Sequence, residues 1–257
     1  MIDLSFIGNP WFYVLAVPAV LSIGIAKGGI GGIGSLAVPL ISLVVTVPQA
    51  AGILLPIMCF ADIFAVWTYR KIWDKRNLKI IIPGSMVGIV VGTASFRFLD
   101  PLTIKLMIGI IAVWFATHSL FGQGRVAEPK GPNAVRGGFW SAVCGFTSFV
   151  AHAGAPPLSV YMLPQRLERT LYVGTLAMFY AVVNYAKIGP YAWLGQLHAT
   201  NLMTSAVLLP LVPVGVLLGR WMHRAVNDDV FYRIILTILF VTGVKLAYDS
   251  LTGLYWQ

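Results

Sequence analysis

AKGGIGGIGSLAVPL, residues 26–40, interrupts an apolar run with small residues and resumes it with a proline, Pro39, near the start of a new helical segment. GFTSFVAHAGAPPLSVYMLP, residues 145–164, does the same more loosely and resumes at Pro156 and Pro157. Proline is tolerated in a first helical turn because the N–H groups there have no intrahelical partner. Facing lipid, such breaks would leave backbone polar groups unsatisfied at several kcal/mol each, so they must face protein or a wet cavity. They are the places to look for a site.

Outward from these breaks the chain is hydrocarbon. Of 257 residues, 58% are hydrophobic and 11% charged, against roughly 25% charged in soluble domains. Residues 49–69, 80–96 and 201–218 are apolar runs near the ~20 residues a helix needs to cross a bilayer. The formal charge of +9 sits largely in short loops, the usual signal of membrane topology, so no nucleic-acid partner is expected. Cys59 and Cys144 fall within apolar segments, where cysteine behaves as a small hydrophobe. Neither a disulfide nor a metal site follows from them, and no cofactor is expected. The start, MIDLSFIGNPWFY, is acidic and has no small-residue cleavage site, so the first segment is expected to be kept.

The fold class expected is an all-α polytopic membrane protein. About ten apolar segments form two inverted repeats of five, with discontinuous helices at the two Gly/Pro breaks. The segments lie near 11–27, 36–45, 49–69, 78–98, 102–121, 139–150, 155–164, 170–186, 201–219 and 230–251. The first repeat spans 1–121, a Gly/Pro-rich cytoplasmic linker 122–137, and the second repeat 138–257. Equivalent residues keep their order: Pro39 and Pro157 are offset by 118, Gly52 and Gly174 by 122, Asp62 and Asn184 by 122, and Gly88 and Gly215 by 127. Offsets that drift only by loop insertions mark a repeat. Five crossings per half would invert the second copy.

Charge agrees with inversion. The basic stretches RKIWDKRNLK (70–79), GQGRVAEPKGPNAVRGG (122–138) and QRLER (165–169) are placed in the cytoplasm, and both termini outside. Residues 187–200, KIGPYAWLGQLHAT, read as an outside connection, with Lys187 snorkelling at the interface. Gly84, Gly88 and Gly92 recur every four residues, a spacing that lets helices approach closely within one chain or in a homodimer.

The candidate substrate-binding groups lie in the breaks. They are the backbone N–H groups of Gly28, Gly29, Gly31, Gly32 and Gly34, the hydroxyls of Ser35, Thr147 and Ser148, the ring of His152, and the helix start after Gly154. Donors outnumber acceptors, which fits a small oxoanion. A helix N-terminus contributes only about 0.3–2 kcal/mol to an anion, so dipoles alone do not suffice. Lys27, Asp62 and Asn184 are candidates for coupling or a polar relay. A carboxylate within a span costs about 2.5–3.5 kcal/mol on insertion scales.

GGIGGIGSLAVPL followed by PQAAGILLP, a central basic loop, and a degenerate second copy before APPLSVYMLP resembles the TauE/SafE sulfite exporter family of bacterial membrane proteins. The resemblance covers essentially the whole chain. It implies a permease of the inner membrane for sulfite or small organosulfonates, with the lipid bilayer and the anion as its partners. The second copy reads VAHAG where the first reads GGIGG. Two other readings remain at this stage: a membrane-embedded enzyme using His152 with Ser148 or Thr147, and a non-transporting assembly partner. Against the enzyme, the chain has no G-x-S-x-G elbow, no H-E-x-x-H pair and no carboxylate beside His152 in sequence.

Overall fold

The computed structural model describes residues 10–28, 33–96, 98, 100–121, 131–225 and 228–255. Among them the chain forms helices only. In order these are α1 (Pro10–Lys27), a 3-10 turn (Ile33–Leu36), α2 (Ala37–Ile41), α3 (Val47–Thr68), α4 (Lys75–Phe96) and α5 (Pro101–Phe121). After the linker come α6 (Ala134–Ala151), α7 (Ala155–Met162), a second 3-10 turn (Leu163–Gln165), α8 (Arg169–Trp193), α9 (Ala199–Leu208), α10 (Leu211–Ala225) and α11 (Asp228–Tyr255). Three helices are long and apolar enough to cross a bilayer: Val47–Thr68, Lys75–Phe96 and Thr170–Trp193. Among the described residues there is a fourth span if Ala199–Leu208 and Leu211–Met222, bent by 43° at their join, are counted as one.

Helix starts follow local chemistry. Thr46 accepts from Gln49 N at the start of α3, Asn133 from Arg136 N at α6, Glu168 from Thr170 N and Leu171 N at α8, and His198 from Asn201 N at α9. Each satisfies donors that the first turn leaves without partners. At α5, Asp100 Oδ1 accepts from Leu102 N and Thr103 N, both at 2.9 Å, and Oδ2 from the Thr103 hydroxyl. The Thr103 hydroxyl, then its N–H, holds the Asp100 carboxyl below the ordinary carboxylate range. A depressed folded-state pKa stabilises the fold above the unfolded value, and the benefit fades as pH falls through the folded one. Asp100→Ala is therefore expected to melt below wild type at neutral pH, with the gap closing in acid; a gap that widens in acid would contradict this cap.

Several boundaries differ from the sequence reading: α2 ends at Ile41, α6 starts at Ala134 inside the stretch read as linker, and two differences bear on the site. Residues 201–219 are not one straight segment: Pro210 has no N–H and crowds the preceding turn, so the helix ends at Leu208 and restarts at Leu211. Residues 187–193 are not a connection either, because α8 runs through Pro190 to Trp193. Lys187 is fully buried rather than at an interface.

The most extensive contacts join α4 to α6, α5 to α11 and α1 to α10, with α3 and α8 crossing at the centre. Small residues bring two of these pairs together within the chain. A Cβ on Gly88 would lie 2.0 Å from Ala142 O, and one on Gly145 2.1 Å from Ser85 O. On the α1–α10 side, a Cβ on Gly24 would lie 2.7 Å from the Gly215 Cα.

The loops gather by charge. Asp74 N donates to Thr175 Oγ1 at 2.8 Å and Asn77 Nδ2 to Gln165 Oε1 at 2.9 Å, which puts the basic stretches 70–79 and 165–169 at one end. A cavity of about 170 Å³ at that end is lined by Gly131, Asn133, Arg136, Tyr161 and Gln165, which adds the end of the linker region. At the other end Gly52 packs against Gln196 O and Asn201.

Candidate functional site

The second break supplies the first part of the site. Helix α6 ends at His152, whose backbone is left-handed with φ 52°, a conformation histidine adopts more readily than branched residues. Its N–H returns to Ser148 O at 3.0 Å and that of Ala153 to Thr147 O at 3.2 Å. This turn aims the imidazole across to α3, where Nε2 lies 3.0 Å from Ala51 O. A carbonyl only accepts, so Nε2 carries the proton and Nδ1 is left as an acceptor. Lys187 Nζ meets Nδ1 at 2.8 Å and also lies 3.1 Å from both Ser148 O and Ser148 Oγ. Tyr191, one turn beyond Lys187, stacks on the His152 ring and donates from its hydroxyl to Phe149 O.

A second group sits one turn back along α8. Asp62 is buried on α3, with Oδ1 2.5 Å from Lys27 Nζ and Oδ2 2.6 Å from Asn184 Nδ2. Lys27, the last residue of α1, keeps 15% of its side chain exposed while Asp62 keeps none. Its ammonium also lies 5.5 Å from the centre of the Tyr180 ring, within cation–π range. Asn184 and Lys187 are three residues apart and share a face of α8. Among the described residues, Lys187 makes no ion pair with a carboxylate.

The sequence candidates therefore separate. Lys27, Asp62 and Asn184 are brought together, and so are Ser148 and His152. Thr147 turns its hydroxyl back onto Val143 O and Cys144 O of its own helix. Gly154 is the N-cap of α7, where a Cβ would lie 2.9 Å from Cys144 Sγ. Gly28 serves close packing, since a Cβ there would lie 2.6 Å from Val216 O. Gly34 and Ser35 lie half-buried in the 3-10 turn before α2. Gly29, Gly31 and Gly32 lie outside the described residues. The burial of Lys187 reverses the expectation that it snorkels at an interface. The signal available in sequence was its three-residue spacing from Asn184.

A network unread from sequence closes the basic end. Asn77 Oδ1 accepts from the Tyr161 hydroxyl at 2.9 Å and from Gln165 Nε2 at 3.1 Å, while its amide reaches Asp74 Oδ2 at 2.8 Å. It ties the end of the second break to the start of α4.

Comparison with known proteins agrees with what the breaks and the buried charges point to. The sulfite exporter TauE/SafE family model matches residues 16–246, nearly the whole chain. The chain belongs to the TauE/SafE family. It is similar, at 21% identity over 188 residues, to a protein of Cupriavidus necator described as a probable sulfite/organosulfonate exporter TauE. That match covers 70% of this chain and 71% of the relative. No solved structure matches. TauE/SafE proteins are membrane exporters and not enzymes. The His152 cluster of this TauE/SafE chain thus belongs to a multi-pass membrane protein, and the reading of His152 as a catalytic base falls away.

Proposed function

We propose that the chain is a secondary transporter exporting a small sulfur-containing anion, sulfite or an organosulfonate, across the bacterial cytoplasmic membrane. The single observation that carries this is a buried cluster with more positive than negative groups, Lys27, Asp62, Asn184, Lys187, Ser148 and His152, inside a hydrocarbon core. Intramembrane charges are costly and mark ion paths by default. The exporter name of the similar protein supports the direction and the substrate class. A potential negative inside also drives anions outward, by about 2.3 kcal/mol per charge per 100 mV.

Alternating access is carried out by two inverted halves. Their contacts pair as a two-fold exchange requires: α1 on α10 is the counterpart of α6 on α4, while α3 on α8 and α5 on α11 map onto themselves. Asp62 and Asn184, equivalent residues in the two halves, hydrogen-bond to each other, as residues beside such an axis do. The basic end, with the loops at 70–79 and 165–169, faces the cytoplasm and both termini face outward.

Protein reconstituted in liposomes is expected to release loaded sulfite. His152→Asn keeps a side chain that tolerates the left-handed backbone but lacks the ring, and Ser148→Ala removes the hydroxyl. Each should slow efflux by roughly 10-fold or more while the protein still elutes as a single folded species. Wild-type rates in both variants would remove these two residues from the site.

A further inference from the structure

We propose that Lys187 is the counter-ion of the transported anion, and that the buried cluster accepts one negative charge rather than two. The inference rests on the transporter reading and adds to it the residue that binds and the charge class that is bound.

The geometry around Nζ says where an anion enters. Two of the three partners of Lys187, Ser148 O and His152 Nδ1, can only accept, the second because Ala51 O fixes the proton on Nε2. The third partner is the Ser148 hydroxyl, which both donates and accepts. An anion oxygen arriving there takes the third N–H of the ammonium and receives the hydroxyl proton as well. Neither obligate acceptor is orphaned.

Charge counting gives the class. The cluster holds two lysines and one carboxylate, Lys27, Lys187 and Asp62. Asp62 is taken by Lys27 and Asn184, so one positive charge is left over, on Lys187, which makes no ion pair with a carboxylate among the described residues. An unmatched charge away from water is strongly disfavoured, and a matched one is disfavoured far less. A monoanion neutralises the cluster; a dianion leaves it as unbalanced as before, with the opposite sign. Hydrogensulfite and simple alkanesulfonates carry the single charge. The two lysines are not repeat equivalents, since the offset of 122 that relates Asp62 to Asn184 relates Lys187 to Ala65. The charge imbalance is therefore a property of one half.

The test is thermal stability of the purified full chain with sodium methanesulfonate or sodium sulfate, at ionic strength matched with gluconate. Wild type is expected to gain several degrees with methanesulfonate and little with sulfate. Lys187→Met should abolish the gain, measured against its own anion-free melting point, and Lys187→Arg should retain part of it. Asp62→Asn raises the cluster by one charge, and sulfate should then stabilise as methanesulfonate does in wild type. A methanesulfonate gain that survives in Lys187→Met, or equal gains from both anions in wild type, overturns the proposal even when liposomes still release sulfite. If the Lys187 variants do not fold, Asp62→Asn decides alone: no sulfate gain overturns it. Absence of both anion response and sulfite flux in wild type instead removes the transporter reading beneath it.

Discussion

Lys27→Met alone is expected to lower the melting point sharply, and adding Asp62→Leu to it to restore most of the loss. Asp62 is fully buried, and its two oxygens are held by Lys27 and Asn184. Removing the ammonium leaves a carboxylate in hydrocarbon with one amide donor. Breaking a buried pair costs about 3–5 kcal/mol, a large part of the roughly 5–15 kcal/mol that holds a domain folded. Removing both charges replaces the pair with apolar volume, which is often neutral or stabilising. The opposite single change is milder, because asparagine keeps an acceptor oxygen for the Lys27 ammonium, whose side chain is already 15% exposed where it stands. The order of melting points should thus be wild type near the double variant, then Asp62→Asn, with Lys27→Met lowest. A Lys27→Met protein as stable as wild type would show that the pair does not hold α1 to α3. The double variant still carries Lys187, so it should also keep the response to monoanions.

What sequence could and could not show follows from the range of each signal. The end of α6 and the restart at Ala155 were legible because small residues and prolines act locally, within a turn. Asp62 was legible because a carboxylate in an apolar run needs a reason. Asn184 was singled out by its offset of 122 residues from Asp62, and the two hydrogen-bond to each other. The partner of Asp62 was not legible, since Lys27 lies 35 residues away and reads equally well as an interfacial lysine. Lys187 misled for the same cause: a lysine before Gly189 and Pro190 looks like the end of a helix, and only the packing of α6 and α3 around it makes it central. The bend between α9 and α10 was hidden because hydrophobicity runs unbroken through Pro210. Gly28 shows the converse, a break residue whose small size serves α10 rather than a ligand.

Gly88→Ala is the second change with a large expected effect, and it tests the frame that positions the site. A Cβ on Gly88 would sit 2.0 Å from Ala142 O and 2.6 Å from Phe146 N, both backbone atoms of α6 that cannot swing aside. The helices must part, which for an overpacked contact costs about 1–3 kcal/mol or more. The cost falls on the pair that carries Ser148 and His152 toward α8. Gly138 on the same α6 has open space around its would-be Cβ, so Gly138→Ala should be neutral or stabilising by up to about 1 kcal/mol. On the α1–α10 side, a Cβ on Gly215 would lie 2.8 Å from Leu21 O and 2.9 Å from the Gly24 Cα. Gly215→Ala should therefore also destabilise, but less than Gly88→Ala. Melting points of the three variants in one detergent read this order directly. Should Gly88→Ala melt with wild type while Gly138→Ala falls, α4 and α6 do not pack through these faces, and the second break is not held where Lys187 can reach it.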